Sequence, residues 1–167
     1  IHERPDVVTE KNEIGHWEGD LMSFNRNTQY ILVLHERKTL FIQSAVLRNK
    51  EASTTAQTLL ELMQPVPESH RKTITLDNGG EFAEHEKYKE IGLSAFFCDP
   101  YASWQKGGVE NSNGRLRIVL PRDTNVKEIE CDKFNQIILN HNSTPRKTLG
   151  WLTPKQAFEC SLQKIIN

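Results

Sequence analysis

The chain has 167 residues, 37% of them hydrophobic and 26% charged, which describes one globular domain long enough to bury its own core. A net charge of −1 does not by itself indicate a nucleic-acid binder. No apolar run approaches the roughly 18 residues of a membrane span, so we expect no membrane association and a cytoplasmic location. Three widely spaced cysteines and unclustered histidines argue against a disulfide framework and a zinc site, and we expect the cysteines to be reduced and mostly buried.

The charge is unevenly distributed along the chain. Residues 1–20 carry six acidic and two basic side chains, whereas residues 104–122 carry four basic side chains and one acidic one. A basic stretch beside carboxylates suits an anionic substrate held next to a metal site. An ordinary solvated face is the alternative explanation of the same pattern.

The first part of the chain is predicted to be mostly strands. Residues 1–13 are polar and interrupted by Pro5, which indicates a linker or an arm, and residues 14–167 are predicted to form the core domain. Because their connections are short, the first three strands should form an antiparallel meander. These strands are predicted at residues 14–24, 29–35 and 40–47.

A crossover helix should follow the meander. Apolar residues recur at three- and four-residue spacing from Ala52 to Met63, and the next strand is predicted at residues 73–76. A strand, helix and strand in one sheet imply a parallel neighbour with a right-handed connection. If that neighbour is the first strand, Asp20 and Asp77 lie on adjacent strands and their carboxylates can converge.

The second half is predicted to be mostly helical. Its elements are a short helix at residues 82–91, a strand at 93–98, a loop at 99–103, helices at 105–119 and 132–141, and a last helix that begins at Thr153-Pro154. Thr153 is a good N-cap, and Gln156 completes a capping box. The order of elements resembles the ribonuclease H-like plan, an α/β fold. In it, a mixed five-stranded sheet of three antiparallel strands and two parallel additions is flanked by helices.

Three acidic residues stand out as a candidate site. Asp77 lies between a predicted strand and the turn Asn78-Gly79-Gly80, which puts it at the carboxyl edge of the sheet, where ligands bind in open α/β sheets. A turn residue that caps its own loop is the alternative for Asp77. Asp20, in Trp17-Glu18-Gly19-Asp20, and Glu110, in Gly107-Gly108-Val109-Glu110-Asn111, have contexts that could bring them to Asp77.

Three carboxylates at one point would repel each other and raise each other's pKa, so the arrangement needs a counter-ion. Magnesium prefers carboxylate and water oxygens, which explains acids rather than histidines. Two such ions about 4 Å apart can flank a phosphorus, where one activates the attacking oxygen and the other the leaving oxygen.

The motifs around these acids resemble those of a known enzyme class. Trp17-x-x-Asp20, Thr75-Leu76-Asp77-Asn78-Gly79 and Gly108-Val109-Glu110-Asn111 resemble the three signatures of the integrase and transposase catalytic core, whose acids are Asp, Asp and Glu. The last two acids lie 33 positions apart, close to the superfamily's spacing. More narrowly, four segments are similar to the insertion-sequence thirty family of bacterial transposases. They are Gly15-His16-Trp17-Glu18-Gly19-Asp20, Asp99-Pro100-Tyr101-Ala102-Ser103-Trp104-Gln105, Glu110-Asn111-x-Asn113-Gly114 and Asn142-x-x-Pro145-Arg146-x-x-Leu149-Gly150-Trp151-x-Thr153-Pro154.

This resemblance implies a ribonuclease H-like fold, Mg²⁺ or Mn²⁺ as cofactor with two ions bound, and a metal-dependent polynucleotidyl transferase. The implied reaction is hydrolysis at transposon ends followed by strand transfer to target DNA. Carried onto this chain, Asp20, Asp77 and Glu110 are the catalytic residues and metal ligands. The implied partners are transposon-end and target DNA and a second copy in a homodimer, in the cytoplasm of a bacterium and associated with its nucleoid.

Further residues are weaker candidates, and each has a structural alternative. We expect Lys106, Arg115 and Arg117 to contact phosphates or to form a solvated helix face. Asn113 is expected to orient Glu110, touch DNA or lie on plain helix surface. Tyr101 and Trp104 are expected either to stack on a displaced base or to pack in the core. Glu18 is expected on the opposite face from Asp20 as a surface or supporting acid, and His141, Trp17 and Trp151 are expected to be packing residues.

Two other functions remain open at this point. One is a ribonuclease H-like nuclease without joining activity, which activity on RNA–DNA hybrids would favour. The other is an inactive remnant that keeps the fold and binds nucleic acid or a partner subunit, which a lack of divalent-ion binding would favour.

Overall fold

The computed structural model of the chain describes residues 1–24 and 29–163, apart from the side chain of Ser103. The strands are β1 (His16–Ser23), β2 (Tyr30–Glu36), β3 (Ile42–Leu47), β4 (Thr73–Leu76) and β5 (Ser94–Phe97). The α-helices are α1 (Asp6–Glu10), α2 (Ala52–Met63), α3 (Gly107–Val119), α4 (Cys131–Asn142) and α5 (Pro154–Gln163). Among these helices of the described residues, none has the length and hydrophobicity needed to span a membrane.

The strands form one mixed sheet in the order β3-β2-β1-β4-β5, which confirms the predicted fold class. The first three strands are antiparallel neighbours, β4 is parallel to β1, and β5 is parallel to β4. The register pairs Glu18 with Thr75 across β1 and β4. Asp20 and Asp77, each two residues further on, therefore reach the same level at the carboxyl ends of these strands.

Alternating side chains of the sheet contribute to two separate cores, one on each face. Trp17 and Ile74 belong to the core that includes α2 and α5. Met22 and Val33 belong to the core that includes α3 and α4. Asp20 has the same strand parity as Met22, so its carboxylate faces α3.

The predicted helix at residues 82–91 is wrong in type. The chain there forms 3₁₀ segments at Gly80–Phe82 and His85–Ile91. The buried residues of these segments are Phe82 and Tyr88, six positions apart. Turn residues at positions 83 and 84 separate the two segments, so no single helix runs from residue 82 to residue 91.

The burial expected of the cysteines is confirmed for one residue only. Cys98 is buried after β5, while Cys131 in α4 and Cys160 in α5 are exposed, and all three are free thiols. The two exposed residues lie on helix faces that the sheet does not cover, which isolated cysteines in a sequence do not reveal.

The amino-terminal segment packs against the body of the protein. Val8 in α1 is fully buried. The Nη1 atom of Arg4 donates to Oγ1 of Thr75 at 3.0 Å, and Nε2 of His2 lies 3.1 Å from Oδ1 of Asp99. This segment therefore lies along β4 and the loop that follows β5.

Candidate active site

Two of the three predicted acids come together at the edge of the sheet. Asp20 lies within β1 and Asp77 follows β4 directly, and both carboxylates bind the same nitrogen, Nζ of Lys106. Asp77 also accepts a hydrogen bond from the backbone N–H of Gly79 at 3.1 Å through Oδ1. It therefore also caps its own turn, as the alternative interpretation predicted, while its Oδ2 faces Asp20.

Lys106 is the cation that joins the two acids. Its Nζ donates to Oδ1 of Asp20 at 2.5 Å and to Oδ2 of Asp77 at 2.6 Å, and the residue is only 5% exposed. Burial lowers the pKa of this ammonium group, but the charges of the two carboxylates and their hydrogen bonds outweigh burial and leave the pKa raised. Burial also raises the pKa of Asp20, against the effect of Lys106. Lys106, predicted as a phosphate contact, thus directs its charge to the acids.

Helix α3 presents the remaining candidates at helical spacing. Glu110 and Asn113 are three positions apart and share one side of the helix, and Lys106 is the residue just before its first turn. Nδ2 of Asn113 donates to Oδ2 of Asp20 at 2.6 Å, so this residue orients an acid other than the predicted Glu110. Glu110 itself is exposed, and its carboxylate makes no hydrogen bond or ion pair within residues 1–24 and 29–163.

The donor set of this site fits a hard cation. No group of three or more His, Cys, Asp and Glu side chains in the described part of the chain is arranged to hold a metal ion. Two carboxylates nevertheless already share one cationic group, and the buried Oδ1 of Asn113 beside them has no hydrogen-bond partner among the described residues. Carboxylate and amide oxygens are the ligands that Mg²⁺ and Mn²⁺ prefer, and in this site the carboxylates surround the positive charge of Lys106.

A buried ion pair attaches the start of α3 to the sheet. Glu18 is 1% exposed, it forms an ion pair with Nη1 of Arg37, and its Oε2 accepts the backbone N–H of Val109 at 2.7 Å. The predicted position of Glu18 on the opposite face from Asp20 is wrong, because residues two apart in a strand point to the same face. Burial raises the pKa of Glu18, and the charge of Arg37 opposes the rise. The two-residue spacing of Glu18 and Asp20 in one strand was the sequence feature that could have placed this supporting acid on the same face as Asp20. No such feature indicated Arg37.

The close contact of α3 with this ion pair explains Gly108. A Cβ atom at Gly108 would lie 2.7 Å from Nε2 of His35 and 2.8 Å from Oε2 of Glu18. We expect Gly108→Ala to lower the free energy of unfolding by about 1–3 kcal/mol, because the buried pair must shift. In the same helix, a Cβ at Gly114 would meet nothing within 4 Å, so Gly114→Ala should raise stability by about 0.5–1 kcal/mol. Urea titrations of both variants measure this difference, and equal effects of the two substitutions would contradict it.

The other weaker candidates have different surroundings. Tyr101 and Trp104 are 101% and 76% exposed, so the alternative of core packing is wrong for both. Tyr101 also has a backbone φ of 61°, which is unusual for a bulky residue. Trp17 is buried as predicted, but Trp151 is 69% exposed, so its predicted packing role is wrong.

The two arginines of α3 are also placed differently from each other. Arg115 is exposed. Arg117 is partly buried, donates from Nη2 to the carbonyl oxygen of Ser23 at 2.6 Å, and lies 4.5 Å from the centroid of the Phe24 ring. His141 is buried, as predicted for a packing histidine, but its ring makes no hydrogen bond among the described residues, whereas a satisfied histidine would make one.

The fold is shared with two solved structures. A chain of the simian T-cell lymphotropic virus intasome, solved by cryo-electron microscopy with PP2A regulatory subunit B56 gamma, matches with a TM-score of 0.73 and 19% identity. The match covers 87% of this chain and 54% of that chain. The catalytic core domain of BIV integrase matches with a TM-score of 0.70 and 21% identity, over 92% of this chain and 99% of that one. The chain therefore has the ribonuclease H-like fold of the integrase catalytic-core class.

Comparison of the amino-acid sequence identifies more specific relatives within this class. The chain is 35% identical over 160 residues to transposase InsI for insertion sequence element IS30A of Escherichia coli K12, which covers 95% of this chain and 42% of that protein. It is 35% identical over 159 residues to the transposase for IS1086 of Cupriavidus metallidurans, over 95% of this chain and 47% of that protein. No protein-family profile matches the chain. The chain is thus a homologue, over nearly its whole length, of part of the insertion-sequence thirty (IS30) family transposases, and it spans less than half the length of these relatives.

Proposed function

We propose that this chain is the catalytic core of a transposase that hydrolyses DNA phosphodiester bonds at transposon ends and transfers the freed strand to target DNA. The observation that supports this proposal best is the pair of carboxylates, Asp20 and Asp77, that share one cation at the carboxyl ends of adjacent parallel strands. The homology to transposases of the IS30 family points to the same chemistry.

In this proposal, Asp20, Asp77 and Glu110 hold Mg²⁺ or Mn²⁺. Two bound divalent ions supply charge stabilisation and activate the attacking and leaving oxygens of the phosphodiester. Asn113 holds the carboxylate of Asp20 in a fixed orientation through its 2.6 Å hydrogen bond. Lys106 neutralises the acids in the metal-free state, and its ammonium group would compete with divalent ions for the same carboxylate oxygens.

The proposed partner is DNA, from both the transposon ends and the target. Arg115 and Arg117 are proposed to contact its phosphates, and the exposed rings of Tyr101 and Trp104 are proposed to stack on a displaced base. By analogy with the viral intasome, whose chain shares this fold, we propose that the protein acts as an oligomer, a homodimer in the simplest case. Residues 14–167 would form the core domain, with residues 1–13 as an arm packed against it, in a bacterial cytoplasm at the nucleoid.

The proposal is tested by measuring metal binding and DNA cleavage on the same preparation. We expect isothermal titration calorimetry to detect Mn²⁺ binding, and we expect nicking and joining of plasmid DNA only when Mn²⁺ or Mg²⁺ is present. Cleavage of RNA–DNA hybrids without joining of DNA would instead indicate a nuclease. Absence of both metal binding and cleavage would contradict the proposal and favour an inactive nucleic-acid-binding protein.

The role of Lys106 leads to a separate prediction. Lys106→Met removes the ammonium group that competes with metal for Asp20 and Asp77, so we expect Mn²⁺ to bind about tenfold more tightly. The metal-free protein should melt at a lower temperature than the wild type, since two carboxylates then face each other without a counter-ion. Calorimetry and thermal melting with and without Mn²⁺ measure both effects. Lys50→Met, at an exposed position with no described contact, is the control, and weaker metal binding by Lys106→Met would contradict the prediction.

A further inference from the structure

A polar cavity lies on the other side of α3 from the two acids. It has a volume of about 410 Å³ and lies between the start of α3, the turn after β2 and the segment that joins α4 to α5. Among the described residues that line this cavity, five are basic and none is acidic. The basic residues are Lys11, Arg37, Lys38, Arg115 and Arg146.

Most of this positive charge is not neutralised by the protein. Arg37 is paired with Glu18, but the other four basic side chains form no ion pair within residues 1–24 and 29–163. Lys38 and Arg146 instead donate to the backbone oxygens of Asn12 and His141, at 2.6 and 3.0 Å. The cavity therefore attracts a negatively charged group.

Two histidines add neutral polar groups to the same wall. His35 and His141 are buried, and burial lowers their pKa values to about 3 and about 4, with a further contribution from the neighbouring positive charges. His35 bonds to Oγ of Ser112 at 2.9 Å, whereas the ring of His141, which is 9% exposed, has no hydrogen-bond partner among the described residues. A neutral, buried imidazole with free hydrogen-bonding capacity is suited to contact an anion in the cavity.

The position of the cavity relates it to the acids. Gly108, Ser112 and Arg115 line it at helical spacing. Lys106 and Asn113 lie on the side of α3 that faces the carboxylates. The two sites are therefore separated by about the 10 Å diameter of one helix.

We propose that this cavity binds a phosphate group. The cavity and its charges carry this inference, which rests on the proposed function only for the source of the phosphate. The two sources are the backbone of a nucleic acid that passes over the start of α3 toward Asp20 and Asp77, and a free phosphate.

The test uses a double variant at two exposed rim positions, Lys38→Gln with Arg115→Gln. In the first arm, Kd for a fluorescent DNA duplex is measured at several salt concentrations with EDTA present. We expect binding to weaken about tenfold, and the slope of log Kd against log salt concentration to fall by about one to two. In the second arm, inorganic phosphate is titrated while amide NMR shifts of Gly107 and Asn111 are followed. We expect shifts that saturate in the wild type and disappear in the double variant.

The control removes two positive charges elsewhere, by Lys50→Gln with Lys133→Gln, both at exposed positions outside the cavity. If Lys38→Gln with Arg115→Gln weakens both DNA binding and phosphate binding while the control stays near wild type, the phosphate group comes from the nucleic-acid backbone. An effect in the phosphate arm alone identifies a free phosphate. If the two double variants behave alike in both arms, the proposal is overturned. Neither arm contains a divalent ion or measures turnover, so failure of the catalytic chemistry would leave these results unchanged. Weaker DNA binding without loss of the phosphate-induced shifts would reflect a DNA contact of Arg115 outside the cavity and would also overturn the proposal.

Discussion

Asp77→Asn is expected to reduce DNA nicking and strand transfer by about a thousandfold or more and to abolish Mn²⁺ binding. The neutral amide removes a charge that the site needs to hold a divalent cation, and metal-assisted stabilisation of the reacting phosphate is lost with it. The amide oxygen can still accept the N–H of Gly79, so the turn after β4 should keep its shape. Single-turnover cleavage assays and calorimetry on the same preparations measure the two losses, and thermal melting establishes that the variant is folded.

The matched control is Asp123→Asn, the same chemical change at an exposed position. It should leave both metal binding and cleavage within about twofold of the wild type, as surface substitutions generally do. Full nicking activity of Asp77→Asn in Mn²⁺ would refute the assignment of this residue. Loss of activity with unchanged metal binding would refute its role as a ligand.

Arg37→Met is expected to have the second large effect, a decrease in the free energy of unfolding. This substitution leaves the carboxylate of Glu18 buried at 1% exposure without its cation. Removing one partner of a buried ion pair typically costs about 3–5 kcal/mol. We expect a decrease of that size in the free energy of unfolding at pH 7, measured by urea denaturation.

The same substitution should show a characteristic dependence on pH. Burial raises the pKa of Glu18 above its unfolded value, so the folded protein binds this proton more tightly and loses stability as the pH rises through that interval. Without Arg37 the folded pKa should rise further. The destabilisation by Arg37→Met should therefore be largest at neutral pH and shrink as the pH falls below about 4, where the carboxyl is mostly protonated in both the folded and the unfolded protein.

Arg48→Met is the control for this experiment, because Arg48 is exposed. It should change the free energy of unfolding by no more than about 0.5 kcal/mol at any pH tested. A pH-independent loss for Arg37→Met would indicate that packing, rather than the charge of Glu18, explains its effect.

Local patterns in the sequence predict much of the fold. The short connections between β1, β2 and β3 and the crossover through α2 determine a mixed sheet, and that sheet places Asp20 beside Asp77. The start of α5 was equally predictable. The backbone N–H of Thr153 donates to Oε1 of Gln156 at 3.0 Å, and the N–H of Gln156 donates to Oγ1 of Thr153 at 3.1 Å, which is the expected capping box.

The side-chain contacts around the acids could not be predicted, because they depend on how the elements pack in three dimensions and local sequence patterns do not give those distances. The sequence predicts Lys106 as a phosphate contact or part of a solvated helix face, and only the docking of α3 on the sheet shows that its ammonium group joins Asp77 to Asp20. The pairing of Glu18 with Arg37 likewise depends on the register of β1 against β2, which sets Glu18 opposite His35 and brings the backbone N–H of Arg37 to the carbonyl oxygen of His16. Trp151 resembles a core residue by its chemistry, and its exposure results from the path of the segment between α4 and α5.

The helical phase of α3 constrains how this region can vary. This helix orients Asn113 toward the acids, to which Lys106 just before the helix also points, and it orients Gly108 and Arg115 toward the basic cavity. Deleting or inserting a single residue between positions 108 and 113 would rotate everything beyond it by about 100°, since each turn takes 3.6 residues. Asn113 would then leave Asp20 and Arg115 would leave the cavity together, so length changes in this helix should be far less tolerated than substitutions on its exposed side.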